Sequence, residues 1–158
     1  MNNGRKEYRI TWFIENYSYC WHDNGDKLES PEFTAEGLEG TVWYLSLYPR
    51  GNGDESRSKI SLSLQRDKLD GGPEDISVKY ELSFRTPDGS VLISRESEHT
   101  FRKGISYGWK EFAQMDEVLL HRKADFLPQD RFIIILCVIY GRVKRHCPFF
   151  NLGASFIR

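Results

Sequence analysis

The chain has 158 residues, 39% of them hydrophobic and 14% aromatic, so it can bury one hydrophobic core without disulfide or metal staples. Its 22 Lys and Arg residues nearly balance 23 Asp and Glu residues, and a net charge of -1 provides no long-range attraction for nucleic acid. No apolar run approaches the roughly 20 residues of a membrane helix, so we expect neither nucleic acid nor membrane as a partner.

The strands are predicted from short segments whose apolar and polar residues alternate. Tyr8, Ile10, Trp12 and Ile14 alternate with mostly polar neighbours, which is the period of a half-buried strand. Turn-forming Gly, Pro, Asn and Asp residues separate this segment from later ones. We predict strands at about residues 8–15, 32–34, 42–48, 60–65, 78–84, 91–93 and 131–143.

One stretch departs from this alternation. Trp109, Phe112, Ala113, Leu119 and Leu120 follow a near-helical spacing, which predicts a short helix within residues 110–120. Seven or eight strands with turns between them and one short helix indicate an all-β fold, an antiparallel β-sandwich.

The cysteines suggest the compartment. Cys20, Cys137 and Cys147 have neither an even count nor Cys-x-x-Cys spacing, as in reduced intracellular proteins, and the N-terminus lacks the apolar core of a secretory signal. We therefore expect the protein to be located in the nucleus or the cytoplasm. Cys20 at the end of the first strand and Cys137 in the last strand are predicted to be packed and inert, and Cys147 to be reactive.

Several of these segments resemble MATH domains, in particular those of the family of the speckle-type POZ protein and the TD and POZ domain-containing proteins. The matching segments are WFIENYSYC at 12–20, WYLSLYPRG at 43–51, DES at 54–56, ISL at 60–62, GWKEF at 108–112 and FLPQD at 126–130. The resemblance covers residues 7–143 and implies the TRAF-like sandwich. Residues 144–158 are expected to be a tail or linker, with no BTB domain in this sequence.

The resemblance implies a shallow groove that takes an extended peptide with an apolar residue, a polar residue and then several Ser or Thr. By position, it places aromatic groove walls at Tyr80, Phe101, Tyr107 and Trp109, and a hydrogen-bonding position at Ser97.

The segment Tyr107-Gly108-Trp109-Lys110 corresponds to the stretch whose backbone pairs with the peptide, and Gly108 is expected to permit the close approach of its backbone. Lys110 could steer an acidic peptide. Ser46 and Ser63 stand where the family has an arginine and a tyrosine, so the preferred peptide is expected to differ.

The expected function is a protein-interaction module that binds Ser/Thr-rich peptides, as in substrate recognition by adaptors of cullin-type ubiquitin ligases. In such adaptors a BTB domain recruits cullin ligase components. Because no BTB segment is present here, we expect peptide binding without support of ubiquitin transfer. Two alternatives remain: TRAF-type docking of receptor tails, and a scaffold domain without peptide binding.

An enzyme is not expected. Ser97 and His99 could join a distant carboxylate in a triad on paper, but the sequence has no Gly-x-Ser-x-Gly elbow. The four histidines are scattered without metal-ligand spacing. We therefore predict no catalytic residues, no metal site and no cofactor.

Overall fold

The computed structural model describes residues 5–20 and 22–142, which form two four-stranded antiparallel sheets packed into a sandwich. The first sheet has the order β1-β8-β5-β6 and the second the order β2-β3-β4-β7. The strands are β1 Arg5–Ile14, β2 Leu28–Glu29, β3 Trp43–Tyr48, β4 Lys59–Arg66, β5 Asp75–Arg85, β6 Val91–Arg102, β7 Ser106–Gln114 and β8 Phe132–Arg142. This confirms the all-β TRAF-like sandwich. The predicted tail and Cys147 lie outside the described residues.

The helical segments are short. A single α-helical turn, α1, spans Lys123–Phe126, and a π-helical turn at Glu117–His121 precedes it. Three 3-10 turns occupy Tyr17–Tyr19, Asp54–Ser56 and Pro128–Asp130. Within the described part of the chain, no helix is long and apolar enough to cross a membrane.

One core lies between the sheets, and strand alternation builds it. Inward side chains at every second position of β4 and β5, such as Leu62 and Leu82, are fully buried. Aromatic rings fill the centre: Trp43 meets Phe101 edge-on at 5.1 Å between centroids, and Phe84 lies 4.5 Å from Phe132.

A buried ion pair holds one end of the sandwich. The side chains of Arg66 and Asp70 have no exposed surface, and Nε of Arg66 lies 2.9 Å from the Asp70 carboxylate. Nη1 of Arg66 donates to the carbonyl of Phe101 at 3.0 Å, while the backbone N–H of Val42 and Gly72 donate to Asp70. These bonds, Arg66 foremost, hold the pKa of the Asp70 carboxyl well below its usual range.

The predicted helix at 110–120 is wrong in its first half, because β7 runs to Gln114 and the helical turns follow it. A β-bulge explains the misleading pattern. Opposite β7, Leu62 pairs with Trp109 but Ile60 pairs with Ala113, so three residues of β7 oppose only Ser61. The extra residues shift the apolar spacing away from two.

Two other sequence predictions need correction. Residues 32–34 form no strand; Phe33 makes one isolated bridge to Trp43, and the neighbouring strand is the two-residue β2. Cys20 does not end β1, because a turn of 3-10 helix lies between them, and it is half-buried. Cys137 is buried within β8, as predicted.

Candidate functional site

Strand β7 is the last strand of its sheet, and among the described residues the one strand that pairs with it is β4. The carbonyl of Lys110 accepts a bond from the Ser61 hydroxyl on the β4 side at 2.6 Å, whereas the carbonyl of Tyr107 accepts one from the Tyr80 hydroxyl of the opposite sheet at 2.9 Å. Because backbone groups alternate in direction along a strand, the main chain of Tyr107 and Trp109 faces away from β4. This stretch therefore has no strand beside it within residues 5–20 and 22–142, although the Tyr107 carbonyl already accepts one side-chain bond.

A row of small residues crosses the outer face of the same sheet and ends at this edge. Ser46 of β3 pairs with Ser63 of β4, which pairs with Gly108 of β7. An open depression of about 200 Å³ lies over the β4 and β7 part of this row. We call this depression the trough; its lining is Tyr48, Asn52, Ser61, Leu62, Ser63, Ser106, Tyr107, Gly108, Trp109 and Lys110.

The two β7 aromatics stand at the opening between the sheets. Tyr107 is 43% exposed, and its ring stacks on His99 of β6 with 3.9 Å between centroids and 9° between planes. Trp109 is half-buried and lies 6.0 Å from Tyr80 and 5.7 Å from Phe112, measured between centroids. Tyr107 therefore offers an exposed ring, and Trp109 offers part of one.

Tyr80 and Phe101 lie beneath this pair. Neither residue has exposed surface, so they differ from the exposed groove walls that the sequence predicted. Burial raises the pKa of Tyr80 well above its usual range, and a hydrogen bond from the half-buried Ser97 opposes this effect. The hydrogen bond from the Tyr80 hydroxyl to the Tyr107 carbonyl ties the β7 backbone to the opposite sheet.

Gly108 is required by the sheet itself. A Cβ at this position would lie 2.2 Å from the Leu62 carbonyl oxygen and 2.4 Å from the Ser63 Cα. The close approach that needs glycine is therefore that of β4. The sequence-based reason, an approaching ligand backbone, is not needed to explain this residue.

The family model described as the MATH domain matches residues 9–138. The chain belongs to the MATH domain family. It is 29% identical to TD and POZ domain-containing protein 3 of Mus musculus, over 82% of this chain and 35% of that protein, and 26% identical to protein 2 of the same name over equal shares. The chain thus spans about a third of the length of the curated relatives it matches.

A solved structure of TRAF5 from Notothenia coriiceps has the same fold, with a TM-score of 0.60, 14% identity, and coverage of 99% of this chain and 78% of that one. MATH and TRAF-like domains bind partner proteins, so this MATH domain is a protein-interaction module.

Lys110 and Ser46 differ in availability. Nζ of Lys110 lies 3.0 Å from Oε1 of Glu55, but both side chains are largely exposed, so this pair holds the lysine only weakly. Ser46 is only 2% exposed, and its hydroxyl has no hydrogen-bond partner within the described chain. Its register partner Glu29 pairs with Lys27 at 3.0 Å, at the rim of the small-residue row.

Of the predicted peptide-binding residues, the structure brings Tyr107, Gly108, Trp109, Lys110 and Ser63 together in the trough. Sequence reasoning missed His99, together with Tyr48, Asn52 and Ser61 of the trough lining. His99 could have been found from the alternation of Arg95, Ser97, His99 and Phe101, which face the same side of β6. The strand predicted in this region covers only residues 91–93, whereas β6 continues to Arg102.

The MATH domain shows no assembled catalytic group at Ser97 and His99. The Ser97 hydroxyl bonds to Tyr80, and the His99 ring stacks on Tyr107. Among the described residues, no cluster of three His, Cys, Asp or Glu side chains could hold a metal ion.

Proposed function

We propose that this MATH domain holds a short extended peptide of a partner protein along the open edge of β7. The observation that carries the proposal is that the backbone of Tyr107 and Trp109 faces away from β4 beside the trough. An added strand would bond to these groups, so main-chain bonds would supply affinity and side-chain contacts specificity.

Successive side chains of an added strand would point to opposite sides. One set would face the outer surface, where the half-buried Ser63 offers a hydroxyl beside the buried Ser61. The other set would face the opening between the sheets, where the exposed Tyr107 ring offers apolar contact. This combination suits a peptide that carries an apolar residue together with Ser or Thr residues.

The small Ser63 side chain leaves room in the trough. A tyrosine at this position, which the family resemblance leads us to expect, would place a ring over the Ser46–Ser63–Gly108 row. We therefore propose that this domain accepts a larger peptide side chain there than a domain with that tyrosine would.

The names of the matched relatives combine this type of domain with a POZ domain. We propose that the MATH domain selects substrates as in adaptors of cullin-type ubiquitin ligases, acting in the nucleus or cytoplasm. In a reconstituted ligase with this chain as the only adaptor, we expect no ubiquitin transfer to a peptide-bearing substrate. Ubiquitination of that substrate would contradict this expectation.

The direct test is a titration of the purified domain with fluorescent Ser/Thr-rich peptides, each with one apolar residue. We expect Tyr107→Ala with Trp109→Ala to weaken binding more than tenfold, because aromatic anchors commonly contribute about 2 kcal/mol or more each. Tyr19→Ala is the matched control, since this ring is 78% exposed and outside the trough lining. Unchanged binding in the double variant would place the peptide elsewhere.

A further inference from the structure

A second depression, of about 670 Å³, lies where the segment before β2 meets the β3–β4 connection. Its lining shares no residue with that of the trough. We call it the loop pocket; it is lined by His22, Asp23, Asn24, Arg50 and Arg57.

Hydrogen bonds between the two loops fix the shape of the loop pocket. Nδ2 of Asn24 donates to the carbonyls of Arg50 and Gly53, both at 2.9 Å, and the N–H of Gly25 donates to the Gly51 carbonyl at 2.9 Å. A Cβ on Gly51 would lie 1.8 Å from the Ser56 carbonyl oxygen, so this turn is tightly closed. The backbone that carries the two arginines is therefore held in place.

The arginines of the loop pocket are weakly neutralised. Arg50 is half-buried, and no carboxylate within residues 5–20 and 22–142 forms an ion pair with it, although it also borders a neighbouring depression beside Tyr17. Arg57 pairs with Asp54 at 2.9 Å, but both side chains are largely exposed, and such pairs contribute little. Asp23 is the one carboxylate among the described lining residues, and the carboxylate of Asp26 lies beside it, where it accepts a bond from the Asp23 N–H at 3.1 Å.

His22 adds an unused polar atom. Its Nδ1 is buried and has no hydrogen-bond partner in the described part of the chain. His22 lines the loop pocket and so borders the same space as the two arginines.

We propose that the loop pocket binds an oxyanion carried by a partner protein, with Arg50 and Arg57 as its charge partners. The planar guanidinium fork matches two oxygens of a phosphate or carboxylate group. Asn52, between the two arginines in sequence, lines the trough. One partner could therefore reach both sites, but the oxyanion site does not depend on peptide binding at β7.

The test is an amide NMR titration of the full chain with inorganic phosphate, O-phosphoserine and glutamate at constant ionic strength. We expect saturable shifts at residues 22–24 and 50–57 in the parent protein. Arg50→Gln should weaken this binding at least tenfold, while Arg122→Gln, an exposed arginine outside the loop pocket lining, should leave it unchanged. Absent shifts, or equal binding in both variants, would overturn the proposal.

Further variants keep the result interpretable. If a thermal melt shows that Arg50→Gln is unfolded, Arg57→Gln provides the same comparison, and retained full affinity would contradict the proposal. Tighter binding of O-phosphoserine than of glutamate would identify a phosphorylated side chain as the source of the oxyanion, and equal binding an acidic one. The Tyr107→Ala with Trp109→Ala variant should keep the oxyanion site, which separates this inference from peptide binding.

Discussion

This domain has a buried group of aromatic residues and, in contact with it, a pair of partly exposed aromatic residues on β7. Trp43, Tyr80 and Phe101 have no exposed surface, whereas Tyr107 is 43% exposed and Trp109 half-buried. Both groups face inward by register, since Tyr107 pairs with Leu64 and Trp109 with Leu62. What differs is what covers each ring: Phe101, although on the edge strand β6, packs against Trp43 and Tyr80, whereas Tyr107 on the edge strand β7 stacks on the half-buried His99.

The comparison shows that inward register does not guarantee burial. At the centre of the sandwich an inward ring meets the opposite sheet. At the edge, Tyr107 meets only His99 and keeps an open face. The buried group should therefore determine stability and the edge pair should determine binding, and each prediction below tests this division.

The largest effect is expected for Phe101→Ala, because truncating a buried Phe commonly costs about 3–5 kcal/mol. Phe101 packs against both Trp43 and Tyr80, so its loss leaves a cavity at the centre of the buried group. Urea unfolding of the variant and of Tyr107→Ala measures the difference. Similar losses for the two variants would show that Tyr107 belongs to the core.

The ion pair beneath this group gives the next prediction. Asp70→Ala leaves Arg66 buried without its carboxylate and should cost about 3–5 kcal/mol, whereas Asp54→Ala, in an exposed pair, should change stability by less than about 0.5 kcal/mol. Because Arg66 also bonds the Phe101 carbonyl, the loss should disturb the base of the buried group.

The same pair predicts a pH dependence. The pKa of Asp70 is lower in the folded protein than in the unfolded chain, so its stabilising contribution is complete above the unfolded value and is lost as pH falls through the folded value. Melting temperature should therefore fall in acid more steeply for the parent than for Asp70→Ala. Parallel curves would contradict the buried pairing.

Gly108→Ala tests the edge from the backbone side. The added Cβ would collide with the β4 backbone, and overpacking of this kind costs about 1–3 kcal/mol. This collision should push β7 away from β4 and so weaken peptide binding at the β7 edge. Gly71→Ala is the control, because its Cβ would have no atom closer than 3.9 Å. Unchanged stability in Gly108→Ala would mean that β7 lies further from β4 than described.

Alternation along β1, β4 and β5 was sufficient to predict those strands, because each has one buried face. The bulge in β7 was not predictable from the spacing of apolar residues. It depends on the pairing of β7 with β4, in which three residues of β7 lie opposite Ser61. Likewise, the trough residues came from the family resemblance, but the burial of Tyr80 and Phe101 depends on which strand lies across the sandwich. His99 was missed because the predicted strand ended at residue 93, whereas β6 continues to Arg102.

The smallest effect is expected for His99→Ala. The stacked ring holds Tyr107 at the sandwich edge, and an aromatic pair adds about 0.5–1.5 kcal/mol beyond the burial of its surface. Stability should therefore change little, while peptide binding should weaken several-fold because Tyr107 loses its fixed orientation. His99→Phe, which preserves a stacking ring, should restore most of the affinity. Thermal melts and peptide titrations of both variants measure this. If His99→Phe binds as weakly as His99→Ala, the imidazole itself contacts the peptide and the stack is not what positions Tyr107.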